Sequence, residues 1–291
     1  MAHYVRHGQA EADPLTVGVA VERTPIETFL DAGGPVLDVR APAEFAQGHI
    51  PSAHNLPLFS DEQRAAVGTT YKQQGRQAAV QLGLDLVGPR LGRLGEQLQE
   101  MASQAGGAPL RLHCWRGGMR SESLAWLSAQ LGLKVVLLEG GYKAFRRWVL
   151  QQCEAPWPIH LLGGRTGTGK TDLLLALAQE DVAMLDLEGL AHHRGSSFGN
   201  LGLPPQPSSE HYENRIALEL HRQRDARQIW VAAAGRCVRR SRSGGSCGGH
   251  AADCAAVGPA TDRSSVRGHR TARLEPGLQP DARLLRPLLR P

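Results

Sequence analysis

Two glycine-rich segments decide most of what this chain can fold into. Each follows a short apolar run and precedes a helical pattern: HCWRGGMRS at residues 113–121 and GRTGTGKT at residues 164–171. Glycines between a strand and a helix let the backbone curl, so that successive N–H groups point inward at the positive end of the helix dipole. Strand, turn and helix in that order return the next strand parallel to the first. The apolar pattern agrees. It predicts strands at Gly34–Arg40, Ala108–His113 and Lys134–Leu138, with helices at Asp61–Val67, Leu91–Ala105 and Ser121–Leu131 between them. After Pro156 and Pro158 the order resumes with strand Ile159–Gly163, helix Lys170–Gln179 and strand Val182–Leu187. The fold class is therefore α/β, in two domains. Residues 1–17 read as an extension, 18–155 as the first domain, 156–231 as the second and 232–291 as a tail.

Composition narrows the class of protein. A chain of 291 residues can bury two cores, and 41% hydrophobic with 21% charged residues is ordinary for a globular protein. No stretch reaches the roughly 18 apolar residues of a membrane span, and the first residues hold no apolar signal core. Five cysteines without paired spacing fit a reducing compartment, so a cytoplasmic protein without membrane contact is expected. The net charge of +5 is misleading, because residues 232–291 carry 11 Arg, no Lys and 4 acids. The remaining body is net −2. Any RNA footprint on the body must be a local patch. The tail also lacks Ile, Phe, Tyr, Trp and Met, so it cannot bury enough apolar area to offset its ordering entropy. It reads as a disordered basic tail, with the residue bias of a GC-rich gene read out of frame after Val231, which leaves the second domain incomplete. Cys237, Cys247, Cys254 and His250 in it fit no tetrahedral zinc spacing. Arg6-His7-Gly8 resembles a histidine-phosphatase signature but lacks the buried strand that must precede one, and is read as accidental.

Chemistry concentrates in the two loops. Cys114 opens the first cradle, where inward amides favour a negatively charged sulfur. Arg116 and Arg120 are candidate partners for a tetrahedral oxyanion, and Gly117, Gly118, Met119 and Ser121 complete the cradle. A buried structural cysteine is the bland alternative, disfavoured by two glycines and two arginines so close by. Taken alone the string fits the tyrosine-phosphatase loop H-C-x-x-G-x-x-R-S/T. The second loop matches the phosphate-binding P-loop, G-x-x-x-x-G-K-S/T. In it Gly164, Gly167 and Gly169 wrap a phosphate, Lys170 reaches the outer oxygens, Thr171 is available for Mg²⁺, and Asp186 at the next strand's end reads as a Walker-B-like acid.

Residues 37–58, LDVRAPAEFAQGHIPSAHNLPL, resemble the rhodanese family through Asp38, Arg40, Glu44-Phe45, Gly48-His49-Ile50-Pro51, Ala53 and Asn55. Tyrosine phosphatases lack this stretch. The loop is Cys-x5-Arg, one residue longer than in simple sulfurtransferases, which widens the cradle for a phosphoryl group or selenophosphate. The rhodanese text and the P-loop together resemble the bacterial tRNA 2-selenouridine synthases. That resemblance also rests on VGTTYKQQG at residues 67–75, CWRGGMRS at 114–121, EGGYK at 139–143, DLEGLAHHRGSSFG at 186–199 and Glu213-Asn214-Arg215.

The resemblance implies a selenotransferase that replaces sulfur by selenium at the 2-position of the wobble uridine of tRNA. Selenophosphate would donate selenium, and a geranylated 2-thiouridine made from geranyl diphosphate would be the intermediate. It further implies that Cys114 carries selenium as S-selanylcysteine, helped by Arg116, Arg120 and the loop amides. The P-loop would hold the diphosphate or a tRNA phosphate, with His192, His193 and Arg194 as contacts to tRNA or diphosphate. No tightly bound cofactor is implied beyond Mg²⁺ at Thr171 and Asp186; the partners are tRNA and a selenophosphate-producing enzyme. In the family an acidic stretch and a largely helical region follow the Ile229–Val231 strand, where the Arg-rich tail stands here. Two rivals remain: a Cys-dependent phosphatase, and a P-loop kinase carrying a non-catalytic rhodanese module.

Overall fold

In a computed structural model describing residues 21–164, 167–194 and 199–232, the chain forms two parallel sheets flanked by helices. The first contains β1 (Glu22–Thr24), β2 (Val36–Asp38), β3 (His54–Asn55), β4 (Leu110–His113) and β5 (Val135–Leu138), in the order β1-β5-β4-β2-β3. Val36, Leu37 and Asp38 are all buried. Unbroken burial replaces alternation because helices cover both faces. On one face α3 (Asp61–Val87), α4 (Leu91–Gln104) and α5 (Met119–Gln130) pack around Leu37, Leu94, Leu98, Leu112 and Leu124. On the other, α1 (Ile26–Asp31) and α6 (Gly141–Glu154) enclose Phe29, Tyr142, Phe145 and Trp148. The short α2 (Pro42–Gln47) follows β2.

The second sheet has the order β6-β8-β7, from β6 (Ile159–Leu162), β7 (Met184–Leu185) and β8 (Ile229–Ala232). Helix α7 (Lys170–Ala178) follows β6 and its loop, and the single turn α8 (Leu187–Leu190) follows β7. Helix α9 (Ser209–Arg222) serves both halves. Its Ala217 and Leu218 join the core around Phe145, whereas Ile216 and Leu220 join Leu185, Ile229 and Val231.

The α/β class, the parallel sheets and the order of elements match expectation, with two local differences. The helix expected over Asp61–Val67 continues to Val87. Ser60 caps it by accepting from Gln63 N, and it bends at Gly75, whose φ of 86° and ψ of −176° interrupt the helix. The strand expected over Val182–Leu187 is only Met184–Leu185, because Asp186 turns the chain into α8. The extension 1–17 with Arg6-His7-Gly8, and Cys237, Cys247, Cys254 and His250 with all the tail beyond Ala232, lie outside the described residues. No helix among the described residues is long and apolar enough to cross a membrane.

Candidate functional site

Cys114 lies immediately after β4, and α5 begins at Met119, so its sulfur faces a helix N-terminus as the glycine pattern predicts. Gly118 N and Ser121 Oγ both donate to Sγ at 3.3 Å. The Ser121 hydroxyl also stands 3.1 Å from Gly118 O, and Sγ lies 3.7 Å from the same oxygen. Among the described cysteines the only other, Cys153, is buried with its thiol pushed up to about 11, first by burial and then by Glu213. It is the inert thiol of the pair.

The loop rests on α6. Tyr142 N donates to Cys114 O at 2.8 Å and Lys143 N to Trp115 O at 2.9 Å. Gly141 makes this approach feasible: a Cβ there would sit 2.4 Å from Cys114 O and 2.5 Å from Gly117 N, and its φ is 60°. Arg23 donates to Gly117 O at 3.1 Å from the far side.

The rhodanese-like residues build the floor. Arg40, 1% exposed, binds both Asp38 oxygens and donates to Gly48 O at 2.7 Å. Its guanidinium lies 3.7 Å from the centre of the Tyr142 ring. Asn55 ties Asp38 O and Arg40 O together, each at 2.9 Å. Burial by itself raises the Asp38 carboxyl, but His113 and Arg40 outweigh it and hold it below the usual carboxylate range. His113 is pushed down by its own burial, against the pull of Asp38, so at neutral pH the carboxylate relies on Arg40.

One expected role changes. Arg120 does not stand ready as a free oxyanion partner; its Nη1 binds Glu44 Oε2 at 2.7 Å. Burial raises Glu44, but Arg120, the Ala41 amide and Arg64 together hold it below its ordinary value. Arg120 thus braces the loop against α2. Arg116 is exposed and makes no ion pair or hydrogen bond among the described residues, so it is the loop's available cation.

In the second loop Lys170 Nζ donates to Gly164 O at 3.0 Å, holding the turn closed over its own side chain. Gly167 and Gly169 have φ of 82° and 73°, and α7 begins at Lys170. The expected acid caps a helix, and a carboxylate two residues on meets Thr171 instead. Asp186 Oδ1 accepts from Gly189 N at 2.9 Å and so caps α8, whereas Thr171 Oγ1 donates to Glu188 Oε2 at 3.2 Å. A hydroxyl beside a carboxylate suits a hard cation such as Mg²⁺, so Thr171 with Glu188, rather than with Asp186, would hold one.

His192 is spent on structure. Its Nδ1 meets Pro205 O at 2.8 Å and its Nε2 meets Arg215 Nη1 at 2.8 Å. A carbonyl takes a donor and a guanidinium takes an acceptor, so Nδ1 donates to Pro205 O and Nε2 accepts from Arg215. His193 is half-buried and Arg194 is exposed beside it.

The seam between the halves was not foreseen. Tyr142 OH donates to Glu210 Oε1 at 2.7 Å, and Asn214 Nδ2 donates to Tyr142 OH and His49 O, each at 2.9 Å. Arg146 binds Asn214 Oδ1 at 2.5 Å and Glu213 Oε2 at 2.6 Å. Glu139-Gly-Gly-Tyr-Lys and Glu213-Asn214-Arg215 stood out in the sequence; what they do together required the structure.

A cysteine just after β4, at the start of a glycine loop and floored by a buried Asp–Arg pair, defines a rhodanese-like domain, here joined to a P-loop domain. Residues 25–147 match the rhodanese-like domain model, and residues 157–241 match that of the tRNA 2-selenouridine synthase AAA domain. Curated relatives bear the name tRNA 2-selenouridine synthase. That from Shewanella sediminis is 41% identical over 227 residues, covering 76% of this chain and 60% of its own. The Azotobacter vinelandii protein is 44% identical over 220 residues, 73% of this chain and 56% of its own. The Serratia proteamaculans protein is 46% identical over 202 residues, 68% of this chain and 52% of its own. The chain belongs to the tRNA 2-selenouridine synthase family, and it spans a little over half the length of these relatives.

Proposed function

We propose that this chain transfers selenium to the 2-position of a tRNA wobble uridine, with Cys114 as the selenium carrier and the P-loop as the diphosphate site. The observation that carries the reading is the sulfur of Cys114 under two donors at 3.3 Å, inside a rhodanese-like floor. Selenophosphate is the donor, geranyl diphosphate activates the 2-thiouridine, and no tightly bound cofactor takes part.

Electron counting constrains the carrier. Selenium is at the selenide level in both selenophosphate and product, but two electrons higher when bound to a cysteine sulfur. A small thiol therefore cycles with Cys114. Selenide freed as selenophosphate hydrolyses to phosphate opens the mixed disulfide of Cys114 with that thiol, releasing the thiol and leaving a Cys114 perselenide. The perselenide displaces geranylthiolate from C2 of the base. The thiol then cleaves the sulfur–selenium bond, restoring the disulfide and leaving selenium on the ring. Arg116 and the loop amides stabilise the anions that come and go.

Protein-bound selenium after incubation with selenophosphate and the disulfide of a small thiol, which forms the mixed disulfide with Cys114, tests this. Cys114→Ser is expected to abolish it and Cys153→Ser to leave it unchanged. Selenium retained by Cys114→Ser would refute the carrier role, and hydrolysis of p-nitrophenyl phosphate by the wild type without selenium uptake would favour the phosphatase reading.

A further inference from the structure

Three segments frame the mouth of the Cys114 loop, each with a run of cations bounded by acids. The middle of α3 carries Arg64, Lys72 and Arg76 between Glu62 and Asp85, the loop carries Arg116 and Arg120 ahead of Glu122, and α6 carries Lys143, Arg146 and Arg147 between Glu139 and Glu154. The body as a whole is slightly acidic, so this is a local concentration. Arg64 and Arg120 are held by Glu44, and Arg146 by Glu213. Lys72, Arg76, Arg116, Lys143 and Arg147 are exposed and form no ion pair among the described residues, and Arg76 Nη2 donates to Met119 Sδ at 3.7 Å. That contact, with Arg64 near Glu44, places both halves of α3 beside the loop.

Two large flat side chains stand among these cations, Tyr71, 59% exposed, and Trp115, 38% exposed, with the flexible thioether of Met119 beside them, 46% exposed. Every residue from Tyr71 to Gln77 is exposed, so no core explains the bend at Gly75. A Cβ at Gly75 would meet nothing within 4 Å, yet its backbone lies in a region only glycine enters readily. The bend shapes a surface and not a packing contact.

Resting on the selenium-transfer reading, we infer that this rim of bent helix α3, cysteine loop and α6 is the seat of a single-stranded RNA segment, which it delivers to Cys114. Unpaired cations take the phosphates, and Tyr71 with Trp115 stacks on unpaired bases, the combination that single strands require and duplexes cannot use.

The test uses the full chain with two labelled RNAs, a single strand and a duplex of equal length, titrated at several salt concentrations. Arginine-rich residues 232–291 would attract both forms alike, so the decisive quantity is the preference for the single strand. Tyr71→Ala is expected to weaken single-strand binding roughly tenfold while barely changing duplex binding. Lys72→Gln with Arg76→Gln is expected to reduce the single-strand salt slope by about 1.4, the release from two phosphates. Selenium uptake by Cys114 should be unchanged in all of these variants, since none contacts the sulfur. Wild-type affinity and preference in the variants, or a wild type that prefers duplex or binds neither RNA, would overturn the rim assignment. Loss of selenium uptake in the wild type would instead overturn the reading it rests on.

Discussion

The two glycine-rich loops have similar chemistry and unequal surroundings. The cysteine loop follows a buried strand, is hydrogen-bonded by α6 and Arg23, and rests on the Asp38–Arg40 pair. The phosphate loop follows β6, none of whose four residues is fully buried, and precedes α7, where Leu173 is 50% and Leu175 46% exposed. The same sequence device thus yields a rigid site in one half and a lightly supported one in the other. Rigidity suits a sulfur that must face a small anion at fixed distance, while a loop that wraps a phosphate gains order from its ligand.

The largest expected effect breaks the floor. Arg40→Ala leaves Asp38 buried beside a neutral His113, and should cost about 3–5 kcal/mol of stability in urea unfolding. A loss below about 1 kcal/mol would mean that the two halves are supported alike.

Next comes the seam, where pH is the probe. Burial, then the adjacent His49, lowers His211 from 6.5 to about 4, and its ring lies 4.0 Å from that of His49. The unfolded chain binds the proton more readily, so stability is present above the unfolded value and falls as pH drops from 6.5 towards 4. The full shift corresponds to about 3.4 kcal/mol, which solvent screening at this half-exposed ring reduces to on the order of 2 kcal/mol or less. His211→Gln should flatten that part of the stability–pH curve, and an unchanged slope would assign the acid sensitivity elsewhere.

The smallest effect is expected at Lys170, whose ammonium is exposed and bonded to a loop carbonyl. Lys170→Ala should change stability by less than about 0.5 kcal/mol without ligand, yet remove the stabilisation that inorganic diphosphate gives the wild type. Equal diphosphate protection of both proteins in thermal unfolding would show that the P-loop is not its site.

Both loops are legible because their signals are local: glycines with a cysteine and two arginines in one, glycines with a lysine and a threonine in the other, each within nine residues between a strand and a helix. Less local features escaped. The sequence pattern supports α3 only to Val67, because Gly68 and Gly75 interrupt it and nothing local says that the helix continues past them. The role of Arg120 depends on Glu44, 76 positions earlier, and that of Tyr142 on Glu210, 68 positions later. Asp186 and Glu188 differ only in which one caps α8, a matter of where β7 stops.

The central claim is a division of labour: selenium belongs to Cys114 and the diphosphate to the P-loop. Measuring selenium uptake and geranyl diphosphate binding side by side in Cys114→Ser and Lys170→Ala tests it most directly. The account predicts that Cys114→Ser binds geranyl diphosphate normally and takes up no selenium, while Lys170→Ala takes up selenium normally and loses the diphosphate. A Lys170→Ala protein that binds geranyl diphosphate as the wild type does but fails to load selenium would contradict it.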